Sequence, residues 1–254
     1  GDLTAIGLKH MKKMGVRFCL SCPVESVEDS PVGAKVVCRS TNGEVQAFEA
    51  EKVLMAVGRG PNTASLGLET GMIKHSKGSI LVNDKMETSL PGVYAVGDCV
   101  KGYSQLAHTA SAMGEMAAEN ALGGSVHYDE SSCPTCVYME PEAASVGLTE
   151  EQCKADGIEY TVGKFPMAGN GKALILNGGE GIVKILADKD NRVLGMHIIG
   201  PRATDLIAEG SLAIEAGLSV DTLIATIHSH PTVTEAMREA ALSIQHRAIH
   251  IVNR

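Results

Sequence analysis

Two histidines and one carboxylate form the densest group of chemically versatile side chains in the sequence. His228 and His230 are separated by one serine, Pro231 follows, and Glu235 lies five positions after His230. A histidine beside a carboxylate can accept and return protons near neutral pH. Proline fixes its own φ and disfavours helical geometry at the preceding residue, so His230 should lie on a stiff, non-helical segment. One interpretation is therefore a proton-transfer base.

The same stretch also fits a purely structural role. Thr232 and Glu235 have the spacing of a capping box, in which the threonine caps a helix and the glutamate reaches back to the threonine N–H. Glu235 would then serve the start of a helix without any catalysis, and His228 would be an ordinary polar residue. Spacing alone leaves both interpretations open.

The composition narrows the classes of partner. The chain has 254 residues and a net charge of −8 with dispersed lysines, which argues against nucleic acid and anionic membranes as partners. No apolar run approaches the ~18 residues that span a bilayer, and no secretion signal opens the chain. Seven scattered cysteines fit a reducing cytosol better than a disulfide framework. We therefore expect a cytoplasmic protein.

Two Cys-x-x-Cys pairs are candidate metal or redox motifs. They are Cys19 with Cys22 and Cys133 with Cys136, more than a hundred residues apart, whereas the halves of such a zinc site are usually ~15–20 residues apart. Neither pair begins a predicted helix that would lower a thiol pKa. Each pair lies in strand-like sequence, so we interpret all four as buried apolar cysteines and expect no metal site.

Two apolar strands are each predicted to end in a polar loop that contains glycine. Val53–Val57 leads into Gly58, and Val93–Val96 leads into Gly97 and Asp98. Ligands of parallel α/β sheets bind beyond the carboxyl ends of strands. Asp98 could accept hydrogen bonds from sugar-like hydroxyls there. Ordinary turns at both places are the alternative.

The rest of the sequence predicts a long helix about half-way along the chain, with different sets of helices and strands before and after it. A helix is predicted from Gln105 to Leu122, with Ser104 as its N-cap and Gly123-Gly124 as its end, and its start would direct free N–H groups at negative charge. Before it we expect a helix from the N-terminus, a strand at Val16–Leu20 and a hairpin around Asn42-Gly43. After it, short strands are predicted at 135–139, 182–187 and 193–199, and helices at 149–155, 203–216, 221–226 and 232–247.

Five signatures occur in order along the chain, and the ordered set resembles one family. It is similar to the C-terminal half of the FAD-dependent pyridine nucleotide–disulfide oxidoreductases, and within them to the dihydrolipoyl dehydrogenases. The signatures are Val-Gly-Arg-Gly-Pro-Asn-Thr at 57–63, Gly-Val-Tyr-Ala-Val-Gly-Asp at 92–98, Leu-Ala-His at 106–108, Val-Leu-Gly-Met-His-Ile-Ile-Gly-Pro at 193–201, and His-Ser-His-Pro-Thr at 228–232 with Glu235-Ala236.

The resemblance implies a role for each matching residue. His230 matches the acid/base that takes the dithiol proton, and Glu235 matches the carboxylate bound to it. Gly58 matches the point where the NAD-binding domain meets its cofactor, and Asp98 matches the carboxylate that holds the FAD ribityl chain. The helix start that faces the flavin is matched by Gln105, Leu106, Ala107 and His108.

The resemblance also implies a fold, a substrate and partners. We expect an α/β to α+β protein: part of an NAD-binding domain (1–63), part of an FAD-binding domain (64–124), and an interface domain of antiparallel sheet and helices (125–254). The reaction would oxidise protein-bound dihydrolipoyl groups of a multienzyme complex, with NAD as acceptor. Residues 125–254 would form a homodimer in which His230 reaches the active site of the other subunit.

Two family features are absent from the sequence. It contains no Gly-x-Gly-x-x-Gly for FAD or NAD, and no two cysteines have the Cys-x-x-x-x-Cys spacing of the family's redox pair. We therefore expect a fragment that is inactive alone. The alternatives are a fragment of another disulfide reductase, of the glutathione type, or a non-catalytic dimerisation module.

Overall fold

The computed structural model describes residues 1–253, which divide into two compact units. The smaller unit is Met11–Pro61, and the larger one combines Gly1–His10 with the chain from Asn62 onward. Helix α1 (Asp2–Lys13) begins in the larger unit and ends in the smaller one. Within the described residues, no helix combines the length and the apolar character needed to cross a membrane.

The smaller unit is built on a three-stranded antiparallel sheet. Its strands are β1 (Val24–Ser30), β2 (Gly33–Arg39) and β3 (Val45–Ala50), in that order. The β2–β3 hairpin turns at Asn42-Gly43, where Gly43 has a φ of 87°. An Asn-Gly pair suits a turn that requires positive φ, and the predicted hairpin is confirmed.

The larger unit begins with small elements that lead into one long helix. A two-stranded ribbon of β4 (His75–Ser76) and β5 (Ser79–Ile80) precedes a 3₁₀ turn at Gly97–Cys99. Helix α2 (Ala107–Ala121) follows, and Gly123, with a φ of 97°, comes directly after its C-cap residue Leu122. Met113 and Met116 of α2 pack in a buried cluster with Met86.

A five-stranded antiparallel sheet forms the core of the larger unit. The elements of this region are β6 (Thr135–Val137), β7 (Ala143–Gly147), α3 (Glu150–Asp156), β8 (Thr161–Pro166), α4 (Gly171–Asn177), β9 (Ile182–Ala187), β10 (Val193–Ile199), α5 (Ala203–Glu215), α6 (Val220–Ala225) and α7 (Glu235–Ile244). The strands are hydrogen-bonded in the order β6-β7-β10-β9-β8. Helices α4 to α7 contribute buried residues to the apolar cluster of the sheet.

Two glycines let helices lie unusually close to this sheet. A Cβ at Gly163 of β8 would stand 2.1 Å from the carbonyl oxygen of Ala240 in α7, and one at Gly210 of α5 would stand 2.9 Å from the Met196 Cβ of β10. Neither approach leaves room for a side chain. Both helices are therefore held against the sheet at fixed positions, and α7 carries Glu235 as its first residue.

Several predicted elements are wrong. Val16–Leu20 contains no strand but a loop that leads into a turn, Val93–Val96 contributes only an isolated bridge through Tyr94, and α7 begins at Glu235 instead of Thr232. Val53–Val57 is not a buried strand either: no described strand pairs with it, and Leu54 is 89% exposed. A continuous apolar run becomes a central strand only when neighbouring strands supply its backbone partners.

Candidate functional site

His230 and Glu235 form a hydrogen-bonded pair at the start of α7. The His230 Nδ1 lies 3.0 Å from Glu235 Oε1 and 3.2 Å from Oε2. The His230 side chain is 80% exposed, whereas that of Glu235 is 30% exposed. If Nδ1–H donates to the carboxylate, the second ring nitrogen, Nε2, is left to exchange a proton with a bound molecule. The structure thus brings these two residues together, and their joint role in catalysis stays a prediction.

The segment before α7 is held in place by backbone contacts. The Thr232 N–H donates to Glu235 Oε2 at 3.0 Å, and the Thr232 hydroxyl donates to the Ser229 carbonyl at 2.6 Å. The Asn170 side-chain amide donates to the Thr232 carbonyl at 3.0 Å, and Val233 is buried in the core. These contacts fix the loop while leaving His230 in solvent. Asn170, sixty-two residues away, has no signal in the local sequence.

The surroundings of Glu235 favour its charged form. Partial burial disfavours the carboxylate, but the Thr232 N–H and the His230 ring outweigh this effect and lower the pKa of Glu235. Glu235 is therefore an anion near neutral pH. An anion bound to Nδ1 stabilises the protonated ring when Nε2 takes a proton.

Half of the predicted capping box is present. Glu235 reaches back to the Thr232 N–H, as the structural interpretation requires. However, the helix begins at Glu235, its N-cap is Thr234, and no side chain caps it. The Thr232 hydroxyl instead bonds Ser229 and lies 2.6 Å from the Thr234 hydroxyl. Glu235 thus orders the loop and bonds His230 at the same time.

His228 forms a second histidine–carboxylate pair of a different kind. Its Nε2 lies 3.0 Å from Glu209 Oε1 on α5, and its Nδ1 lies 3.1 Å from the Thr226 carbonyl. The side chain is only 5% exposed. The hydrogen bond to Glu209 outweighs the effect of burial and raises the pKa of His228. Both ring nitrogens are already engaged, so this residue anchors the loop to α5.

Two clefts flank the loop that carries the histidines. One, of about 550 Å³, is lined by Pro231, Thr232 and Met237 together with residues of α4 and α5. The other, of about 260 Å³, is lined by His228, Glu235 and residues near Ile249 and His250. Glu235 is thus at the wall of a cleft while the ring of His230 projects into solvent.

A separate group of predicted residues lies around the start of α2. Gln105 donates through Nε2 to the Asp98 carbonyl at 3.1 Å, which ties the 3₁₀ turn to the residues before the helix. Gly97 has a φ of 75°, and its N–H donates to Met113 Sδ at 3.3 Å. The structure therefore brings Asp98 and Gln105 together, as a shared cofactor site requires.

The N-terminus of α2 has the donors that the prediction needs. Leu106 is the N-cap without a side-chain cap, so Ser104, the predicted cap, is wrong. Ala107 and His108 form the first turn, where N–H groups have no intrahelical acceptor. His108 is turned aside, with Nε2 2.8 Å from the Pro134 carbonyl. The Leu106 N–H donates to the Ser104 carbonyl at 2.9 Å, so the donors of this helix start are the first-turn N–H groups of Ala107 and His108. These N–H groups, together with the carboxylate of Asp98, fit an electron-rich ring with a polyhydroxyl chain.

Gly58 lies in the smaller unit and belongs to neither group. It is exposed, with a φ of 124° in an irregular segment. Space for a Cβ is open around it, so the positive φ alone makes glycine favourable here. Its predicted contact with NAD stays a prediction.

The cysteines differ from the expectation. Cys19, Cys22, Cys133 and Cys136 are half-buried rather than buried. Cys19 and Cys22 flank a turn instead of lying in a strand, whereas Cys136 lies on β6, as its strand-like sequence predicts. A hydrogen bond with the neighbouring Cys19, which favours the protonated thiol, raises the pKa of Cys22 to about 12. Burial raises the pKa of Cys136. A thiol with a raised pKa is a poor nucleophile, so Cys22 and Cys136 are poorly suited to attack a disulfide.

Two models of one protein family match the chain. Residues 2–114 match the model of the pyridine nucleotide-disulphide oxidoreductases, and residues 133–241 match the model of the dimerisation domain of the same proteins. The chain belongs to this oxidoreductase family. The family resemblance and the predicted fold class, an α/β to α+β chain ending in an antiparallel sheet with helices, are confirmed.

Curated relatives of this oxidoreductase family match the chain along its whole length. A dihydrolipoyl dehydrogenase of Thermus scotoductus is 42% identical, over 100% of this chain and 55% of the relative. One from Geobacillus stearothermophilus is 41% identical over 100% and 54%, and the mitochondrial dihydrolipoyl dehydrogenase 1 of Arabidopsis thaliana is 42% identical over 99% and 50%. The chain therefore spans about half the length of the curated relatives it matches.

Solved structures of the family have the same fold. LpdA from Mycobacterium tuberculosis superposes with a TM-score of 0.85 at 27% identity, covering 95% of this chain and 52% of that one. The HOCl-induced flavoprotein disulfide reductase RclA from Escherichia coli gives 0.82 at 25% identity, covering 94% and 55%. The second of these is named for a different reaction, so the fold alone does not select the substrate.

Proposed function

We propose that the chain is the C-terminal half of a dihydrolipoyl dehydrogenase, called here the parent enzyme. The parent enzyme oxidises protein-bound dihydrolipoyl groups to the disulfide, with FAD as carrier and NAD as acceptor. The observation that carries the proposal is the exposed His230 bonded through Nδ1 to the anionic Glu235. The identity of about 40% to dihydrolipoyl dehydrogenases along the whole chain supports this substrate.

The pair would act as the base of the reaction. A dithiol must lose a proton before its sulfur can attack a disulfide, because the thiolate is the nucleophile. His230 Nε2 takes that proton, and Glu235 stabilises the resulting imidazolium through Nδ1–H. The thiolate attacks the redox disulfide of the parent enzyme and displaces one cysteine sulfur, which takes the proton back from the same nitrogen. The second substrate thiol then gives its proton to that nitrogen, attacks the mixed disulfide and releases the other cysteine, which closes the substrate disulfide. The chain contains both partners of this relay and no Cys-x-x-x-x-Cys.

Cofactors would be held at the group around α2 and, in the smaller unit, near Gly58. Asp98 would accept hydrogen bonds from the ribityl chain, and the backbone from Gln105 to His108 would face the flavin, with the Ala107 and His108 N–H groups as donors. Gly58 would allow NAD to approach the backbone. When bound, FAD supplies the two-electron acceptor that the chain's own residues lack. The residues of this chain bind and orient the cofactors and exchange protons.

An exposed apolar segment supports the proposal that the parent is longer. Val53, Leu54, Met55 and Val57 are exposed and unpaired by any described strand, although their sequence is that of a strand buried on both faces. Strands from another part of the parent would cover them. We accordingly retain the proposed division into parts of an NAD domain (1–63), an FAD domain (64–124) and an interface domain (125–254).

The parent would be a homodimer through residues 125–254. Residues 133–241 match a dimerisation-domain model, and several large apolar side chains of this region are exposed. They include Tyr138, Ile175, Leu212 and Ile227, and a partner that covered exposed apolar side chains would gain the free energy of their burial. Burial of this surface would bring His230 to the active site of the partner. A lipoyl-bearing protein of a multienzyme complex would be the substrate, and a cytoplasmic location stays a prediction.

A glutathione-type reductase is the second candidate, because RclA shows that the fold accepts another reaction. The parent enzyme should reduce NAD with dihydrolipoamide and show at most a trace of NADPH-dependent reduction of glutathione disulfide. The reverse preference would contradict the proposal.

The chain by itself should be dimeric, inactive and nearly free of flavin. A yellow, active preparation of the chain would contradict the assignment to one half of an enzyme.

A further inference from the structure

Three cysteines of the smaller unit lie close enough together to share one ligand. The Sγ atoms of Cys19, Cys22 and Cys38 all lie within 4.8 Å of one another, and those of Cys19 and Cys38 are 3.9 Å apart. All three are free thiols, with Cys38 buried and the other two half-buried. A disulfide requires sulfurs about 2.05 Å apart, so the cluster is made of unbonded sulfurs.

The backbone brings the three thiols together from two directions. Cys19 and Cys22 flank a turn in which Ser21 has a φ of 55°, in the left-handed region that a serine seldom adopts. Cys38 lies on β2 opposite Gln46 of β3, and the Cys19 thiol donates to Gln46 Oε1 at 3.5 Å. A tight turn and a sheet therefore supply the positions of the three thiols.

The sulfur geometry matches a soft metal ion. In a tetrahedral zinc site with Zn–S bonds of about 2.3 Å, neighbouring sulfurs are about 3.8 Å apart, close to the observed 3.9 Å between Cys19 and Cys38. Fifteen residues separate Cys22 from Cys38, which is within the ~12–20 residues common between the halves of zinc sites. The long spacing to Cys133 and Cys136 predicts no metal site, whereas the shorter spacing to Cys38 permits one.

We propose that Cys19, Cys22 and Cys38 form a three-thiolate site for Zn²⁺ in the Met11–Pro61 unit. Each thiol releases its proton to solvent as its S–Zn bond forms, because the thiolate is the metal ligand. Water or Gln46 Oε1 completes the fourth position. The ion ties the turn after α1 to the β1–β3 sheet and so strengthens a unit with few buried apolar residues. The site is independent of the proposed enzyme function.

Metal titration of the purified chain under a phosphine reductant tests the site. The chain should bind one equivalent of Zn²⁺ in competition with a chromophoric chelator. Co²⁺ in its place should give thiolate-to-cobalt charge-transfer absorption and the intense visible bands of four-coordinate cobalt. Cys22→Ser and Cys38→Ser should each weaken Zn²⁺ binding by more than the ~10–100-fold that loss of an outer-shell partner costs.

The second Cys-x-x-Cys pair provides the matched control. Within residues 1–253, no third histidine, cysteine, aspartate or glutamate ligand joins Cys133 and Cys136, so the Cys133→Ser/Cys136→Ser variant should bind Zn²⁺ normally. Cys22→Ser keeps the test valid even if loss of the buried Cys38 unfolds the sheet. The proposal would be overturned if the chain bound less than one equivalent of Zn²⁺ or if Cys22→Ser bound as much Zn²⁺ as the unmodified chain. A Cys19–Cys38 disulfide that persists in the phosphine reductant would also overturn it.

Discussion

The two histidines near the C-terminus have the same kind of partner and opposite surroundings. His230 and His228 each bond a glutamate at 3.0 Å. The first is 80% exposed with one ring nitrogen directed away from its partner, and the second is 5% exposed with both nitrogens engaged. A histidine–carboxylate pair thus serves as a base or as an anchor according to whether its second nitrogen can reach a substrate. Exposure, more than pairing, separates the two roles.

The largest expected effect is on turnover. His230→Gln in the parent enzyme should lower dihydrolipoamide oxidation by ~10²–10⁴-fold, the usual contribution of a general base. His228→Gln is the matched control, because it removes a histidine of the same pair type, and its activity should stay within a few fold of the unmodified enzyme. Steady-state assay of both variants with unchanged flavin content and dimer mass makes the comparison. Equal losses in the two variants would remove the distinction between base and anchor.

The next effect concerns the carboxylate behind the base. A hydrogen bond to a charged group contributes about 1.5–3 kcal/mol, and the exposure of His230 places Glu235 at the lower end. Glu235→Gln in the parent enzyme should therefore lower turnover by ~10-fold, with the dimer intact. Glu209→Gln, which alters the carboxylate behind His228, should change turnover little. A stronger loss in Glu209→Gln would show that the anchor controls catalysis.

The anchor should matter most for stability. Replacing His228 by Ala leaves the partly buried Glu209 without its partner, which costs about 1–3 kcal/mol of unfolding free energy. His230→Ala removes an exposed ring and leaves Glu235 bonded to the Thr232 N–H, so it should change stability by less than about 0.5 kcal/mol. Urea unfolding of the chain measures both. Equal losses would mean that loop ordering, not the Glu209 contact, determines the cost.

The pH dependence of stability gives the smallest and most specific signature. The folded pKa of His228 is raised above its unfolded value near 6.5. Its ion pair therefore contributes fully below about pH 6.5, and the contribution is lost as the pH rises through the raised folded pKa. The stability difference between the unmodified chain and His228→Gln should shrink across that range. A difference that grows with pH would contradict the assigned ion pair.

The sequence predicted local geometry well and long-range pairing poorly. Strands β9 and β10 agree with the predicted bounds and α5 ends one residue early, because continuous apolar runs and the apolar period of a helix are local signals. Val53–Val57 has the same local signal but no strand beside it. For the site, His230 and Glu235 are five residues apart and were identified together. Asn170 and Glu209 reach the same loop from other elements, so only the fold reveals them.

The cysteines show the same limit. Cys19-x-x-Cys22 is visible in the sequence, yet its third partner becomes evident only when β2 places Cys38 beside the turn. The Cys133-x-x-Cys136 pair has identical spacing and acquires no third ligand group from the described part of the chain. The sequence spacing identifies pairs of cysteines that could bind a metal, but only the fold shows whether a third ligand group lies beside them.

The most direct test of the account follows a single turnover of the parent enzyme. The unmodified enzyme, His230→Gln and His228→Gln are each mixed rapidly with dihydrolipoamide without NAD, and the rate of flavin reduction is recorded. If His230 is the base, reduction slows by ~10²–10⁴-fold in His230→Gln alone, while flavin content and dimer mass are unchanged. Reduction of His230→Gln within a few fold of the unmodified rate would contradict the central claim.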